Sequence, residues 1–185
     1  MKKILFVTLG LLSLFSFSFA QNISLQLIAN SSTGLIQSEE GASLANSGFA
    51  RVGTFSDLVG LDSFATAESK FTEFTNFTSS GGLFQGINNV SNQGATGALL
   101  YIFVTDIADV NNANEFGIFG SSSWTVAIPG GLSNLVSSQT QSALAGSIVA
   151  GSPNTYRLEA VPEPSAYAAI AGLLALSWVA IRRRK

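Results

Sequence analysis

Apolar and polar positions divide this chain of 185 residues into two continuously apolar ends and a middle that alternates. Ile23-Ser24-Leu25-Gln26-Leu27 alternates with period two, as does Trp124-Thr125-Val126-Ala127-Ile128, and each predicts a strand with one face buried. Leu99-Leu100-Tyr101-Ile102-Phe103-Val104 is apolar throughout, which predicts a strand buried on both faces. Phe116-Gly117-Ile118-Phe119 and Thr155-Tyr156-Arg157-Leu158 are shorter strand candidates. Gly81-Gly82, Asn88-Asn89, Asn111-Asn112 and Gly130-Gly131 punctuate these runs and predict turns. Two stretches depart from the strand period. Phe64, Ala67, Phe71 and Phe74 recur at helical spacing behind Asp62 or Ser63, which predicts an amphipathic helix within residues 62–77. Residues 132–144 are the place for a second. The pattern as a whole predicts a mainly β body, an antiparallel β-sandwich with one or two short helices, over residues 21–160.

The apolar ends have a different meaning. Lys2 and Lys3 precede an apolar run over residues 4–19, and Ser18-Phe19-Ala20 puts small residues where a signal peptidase reads. Residues 1–20 therefore predict a signal peptide, handled by the Sec export machinery and cut between Ala20 and Gln21. At the other end, residues 166–181 are free of charge, about 24 Å as a helix against a hydrocarbon core of ~30 Å. Trp178 sits near the end of that run, and Arg182, Arg183, Arg184 and Lys185 follow it. The positive-inside rule leaves these four cations in the cytoplasm, so the segment is expected to span the membrane once. Pro162 and Pro164 fit neither a ladder nor a helix interior and hold an extended spacer before it.

The order Val161-Pro162-Glu163-Pro164-Ser165, short span, Arg-rich end closely resembles the PEP-CTERM sorting signal of exopolysaccharide-producing Gram-negative bacteria. The likeness covers residues 161–185, with all three motif positions, Pro162, Glu163 and Pro164, present. It implies recognition by an exosortase, a membrane-embedded cysteine transpeptidase, with the tail removed near the motif. The implied route passes transiently through the inner membrane to the cell surface or the extracellular space. Residues 48–55, 99–104 and 115–120, with Trp124 and Pro129, look like segments of surface proteins that carry this signal. That implies a shared fold and no particular activity.

Composition narrows the chemistry. The chain contains no Cys and no His, so disulfides, thiolate and imidazole nucleophiles and ordinary zinc or copper sites are excluded. Between residues 21 and 161 three bases (Arg51, Lys70, Arg157) face ten acids, a net charge of −7, which repels phosphate backbones and argues against nucleic-acid binding. Gly94-Ala95-Thr96-Gly97 lacks the length and the lysine of a phosphate loop. No cofactor or bound metal is expected. The one oxygen-rich loop runs from Asp106 to Glu115, and its calcium candidates are Asp106, Asp109, Asn111 and Glu115; it lacks the alternation and glycine of an EF-hand, and a solvated turn is the competing reading. Four Asn-X-Ser/Thr triplets, at Asn22, Asn30, Asn76 and Asn89, are expected to be chance in so Asn- and Ser-rich a chain.

The resulting expectation is an exported, non-catalytic surface or matrix protein associated with exopolysaccharide or biofilm. Two alternatives stand beside it. A carbohydrate-binding module needs exposed aromatics, for which Trp124 and Tyr101 are candidates, although their apolar surroundings favour core packing. A secreted glycosidase needs two carboxylates facing each other across a cleft.

Overall fold

The computed structural model describes residues 22–44 and 46–161, with Leu173, Leu174 and Ser177 near the C-terminus. The signal peptide and the sorting segment expected above lie outside the described residues, apart from those last three. They are helical, and the Ser177 hydroxyl donates to the Leu173 carbonyl at 2.7 Å. Among the described residues no helix is long and apolar enough to cross a membrane.

The body is mainly β, with several sheets and one helix. A three-stranded sheet is centred on β1 (Asn22–Ala29), flanked by β5 (Phe84–Ser91) and β8 (Leu132–Val136). The larger sheet has six strands in the order β12 (Glu159–Ala160), β7 (Glu115–Thr125), β6 (Leu99–Thr105), β3 (Phe49–Phe55) and β4 (Phe71–Thr78), with β9 (Ser142–Ala145) also on β7. A third, small sheet orders β10 (Ser147–Val149), β11 (Thr155–Arg157) and β2 (Ile36–Gln37). The helix α1 spans Phe64–Lys70.

The side-chain period explains the core. In β1 the alternation turns Ile23, Leu25, Leu27 and Ala29 inward, and they join Ala50 and Val52 of β3 and Leu100, Ile102 and Val104 of β6 in the main core. β6 is buried on both faces, as its continuous apolar run predicts. Its other side chains, Tyr101 and Phe103, belong to a second core with Phe116, Ile118 and Ala67 of α1. Each Val, Leu, Ile or Phe side chain so buried contributes about 1.5–3 kcal/mol of transfer free energy.

Where the elements differ from expectation, the cause is local. The helix predicted within residues 62–77 occupies Phe64–Lys70 only; Phe71–Thr78 is β4. Its phenylalanines keep a spacing of three because a bulge opposite Val52 and Gly53 inserts Phe74 as an extra residue. Phe71 thus pairs with Phe55 on the α1 side of the sheet, whereas Phe77 pairs with Ala50 on the main-core side. Gly53 is what allows this approach, since a Cβ there would stand 2.1 Å from the Thr72 carbonyl oxygen. Residues 132–144 hold no second α-helix: they contain β8, a 3-10 turn at Ser137–Gln139 and the start of β9. Asn88 and Asn89 lie inside β5, paired with Leu25 and Ser24, and the strand expected over 124–128 ends at Thr125 as part of β7. Pairing is not wholly antiparallel, because β1 runs parallel to β8 and β11 parallel to β2.

Candidate functional site

Three groups of residues qualify for scrutiny, and the first is the oxygen-rich loop between β6 and β7. Asp106 Oδ1 accepts from the backbone N–H of Asn114 at 3.0 Å and of Glu115 at 3.3 Å, and Oδ2 takes the Asn114 amide at 3.3 Å. Asp109 caps the 3-10 turn Val110–Asn112, accepting from Asn111 N–H at 3.2 Å and from the Asn112 amide at 2.7 Å. Glu115 Oε2 reaches across to accept Glu39 N–H at 3.0 Å. These carboxylates hold the loop's own donors, which is what Asp and Asn do at turns. Among the described residues no group of three or more acidic side chains is arranged to hold a metal ion. Burial raises the Glu115 carboxyl above its ordinary range; the charges of Asp106, Glu39 and Glu40 add to this, while the Glu39 N–H opposes it.

The second group was not legible in the sequence. Arg51, on β3 and only 5% exposed, lays its guanidinium over the rings of Phe103 (4.4 Å to the centroid) and Phe71 (5.3 Å) and forks onto Glu68 of α1 at 2.8 and 2.5 Å. The pair fastens α1 to the sheet. A second ion pair, Lys70 Nζ to Asp57 Oδ1 at 2.5 Å, closes the loop before α1, and that lysine's hydrogen bond pulls the Asp57 carboxyl below its ordinary range. Both pairs join neighbouring elements. Phe103 is the hub of the surrounding ring cluster, with Phe55, Phe64, Phe71 and Phe116 centroids 5.3–6.2 Å away. Trp124 and Tyr101, the two aromatic candidates for sugar stacking, are buried at 1% and 7% exposure, Trp124 donating its indole N–H to Gln139 at 3.3 Å. Core packing is their role.

The third group is the point where the chain leaves the body. Glu159 pairs with Phe116 and Ala160 with Glu115, and the N–H of Val161 donates to the Asn114 carbonyl at 2.7 Å. Glu159 Oε2 also accepts from Gly146 N–H at 2.9 Å. Val161, the neighbour of Pro162 in sequence, is thus tied to the body. Of the other residues singled out in the sequence, Ala20, Gln21, Pro162, Glu163, Pro164, Arg182, Arg183, Arg184 and Lys185 lie outside the described residues. No family model matches this chain, and no curated protein or solved structure matches it either. The functional reading therefore rests on the residues themselves.

Proposed function

We propose that the protein is an exported, non-catalytic surface component, delivered through the inner membrane and released from its C-terminal anchor by an exosortase-type transpeptidase. The observation that carries this reading is the order of parts after Val161: Pro162-Glu163-Pro164, an uncharged run over 166–181, then four cations. Sec export and signal peptidase act at the other end, between Ala20 and Gln21. The β5-β1-β8 sheet shares the main core with the six-stranded sheet, which supports a two-layer sandwich as the delivered module. Its partner outside the cell is exopolysaccharide or the biofilm matrix. A body of −7 suits an uncharged or cation-bridged polymer better than a polyanion. The carbohydrate-module alternative loses its aromatic platform, because Trp124 and Tyr101 are core residues.

The test replaces Pro162, Glu163 and Pro164 by Ala-Ala-Ala in a full-length chain with an epitope in the exposed loop at residues 150–153. The apolar run and its cations are unchanged, so insertion persists and the uncleaved protein accumulates in the inner-membrane fraction. Surface delivery of the triple-alanine form with its tail removed refutes the sorting reading.

A further inference from the structure

We infer that β12 is a releasable clasp: residues 159–161 leave β7 before the chain beyond Val161 is processed, and release stops at Leu158. This rests on the sorting reading above and adds to it a step located in the body. The motif begins at the residue after Val161, and Val161 is still bonded to Asn114. An enzyme that grips a substrate as an extended strand uses the backbone on both sides of the scissile bond, so it competes with β7 for the same N–H and C=O groups. Freeing residues 159–161 supplies about 10 Å of extended chain at ~3.3 Å per residue.

The boundary between what holds and what yields is sharp. β12 is two residues long and lies at the edge of its sheet; Ala160 is exposed, and Glu159 and Val161 are half-buried. Its ties are the short ladder, the Val161 N–H bond, the Glu159–Gly146 bond and the half-buried Val161 side chain against the second core. One residue earlier the chain is fixed: Leu158 is 2% exposed and its N–H donates to the Gln37 carbonyl at 3.0 Å. Tyr156 is equally buried, with its hydroxyl donating to the Ser137 carbonyl at 2.5 Å. Departure of β12 leaves β7 in place, because Phe116 remains paired with Thr105 of β6 and buried in the second core. Short, edge-placed segments of this kind open at far lower cost than core strands.

The test uses the absence of cysteine from the chain. Glu115 and Ala160 face each other, and because Val161 bonds Asn114 in the adjacent pair, theirs is the closely spaced, non-hydrogen-bonded pair that suits a disulfide. The full-length Glu115→Cys/Ala160→Cys protein, oxidised, is expected to keep its tail at least about tenfold longer than the unaltered protein, and a reductant restores the rate. The Glu115→Ser/Ala160→Ser protein carries the same losses without the lock and is processed at the unaltered rate. Processing of the oxidised pair at the unaltered rate, with the disulfide verified by thiol labelling, overturns the clasp. If the unaltered protein itself keeps its tail, the sorting reading fails, and hydrogen exchange on the full-length protein then judges the clasp alone. The Val161 N–H is expected to exchange about 100-fold faster than that of Leu158; equal protection overturns it.

Discussion

Truncating Glu68 to Ala leaves the Arg51 guanidinium against the Phe103 and Phe71 rings with its fork unanswered and its Nε, already without a partner, still buried. Breaking a fully buried ion pair by removing one member costs about 3–5 kcal/mol, mostly the cost of an uncompensated charge. The Glu68 side chain is 37% exposed, however, so water reaches the fork in its absence, and about 2 kcal/mol is the expected loss. Replacing Arg51 by Met as well removes the stranded charge, keeps an unbranched apolar stem among the rings and forfeits a cation–π contact of about 0.5–2 kcal/mol. The double variant should therefore be at least as stable as Glu68→Ala alone. Urea denaturation of residues 21–161, followed by far-ultraviolet dichroism, reads this directly. With a slope near 2 kcal/mol/M, Glu68→Ala should unfold about 1 M earlier, and adding Arg51→Met should recover part of that shift. A double variant that unfolds earlier than Glu68→Ala, by the cost of an ordinary arginine truncation, refutes the reasoning. Arg51 would then act through packing that needs no partner.

Glu115→Gln should raise stability at pH 7 and have no such effect below about pH 4. Glu115's folded-state pKa is raised, so its stabilising contribution is complete below the unfolded pKa and lost as pH rises through the folded one; denaturation midpoints across pH check this. Tyr101 and Tyr156, the two tyrosines of residues 21–161, are held above the ordinary phenol range by burial, so phenolate absorbance in that fragment should appear late in an alkaline titration and reach full amplitude only with unfolding. Gly53→Ala places a Cβ 2.1 Å from a backbone oxygen of β4 and 2.8 Å from the Phe71 ring, which should cost about 3 kcal/mol, the upper end for an overpacked site, read by the same denaturation.

What the sequence disclosed follows from where its periods are clean. β1 alternates cleanly over residues 23–27 and β6 is apolar over residues 99–104, and both are interior strands of their sheets, where burial constrains the residue type. The start of α1 was legible behind Ser63, although that residue extends the backbone without capping through its side chain. β4 was not, because a single inserted residue, Phe74, turns a period of two into an apparent period of three. β8 was hidden by a buried Ser133, whose hydroxyl accepts from Ala127 N–H at 2.9 Å and donates to the Thr125 carbonyl at 2.8 Å. A polar residue in a core position breaks the pattern that a strand needs to be seen. The oxygen-rich loop announced itself by composition, whereas Glu39 reaches Glu115 from 76 residues away and Arg51 reaches Glu68 from 17, separations that no local period encodes.

The placement of the two chain ends bears on how a body of this kind is presented. Asn22 accepts from Gly130 N–H at 2.8 Å, and the same turn leads through Ser133 to Thr125, the last residue of β7. Val161 is tied to Asn114, one residue before the first of β7. The ends of the body are therefore tied near opposite ends of β7, a span that its partner β6 covers from Leu99, opposite Thr125, to Thr105, opposite Phe116, in about 20 Å at ~3.3 Å per residue. On the sorting reading proposed above, a spacer of four residues, 162–165, reaches at most about 14 Å, so an anchor beginning at residue 166 would hold the Val161 end close to the bilayer. The Asn22 end, where the exposed Ile128 and Leu132 flank the Gly130 turn, then points away from it. On the sorting reading proposed above, signal-peptide removal and tail processing act near opposite ends of β7, and the first leaves the strand β12 untouched until the second requires it.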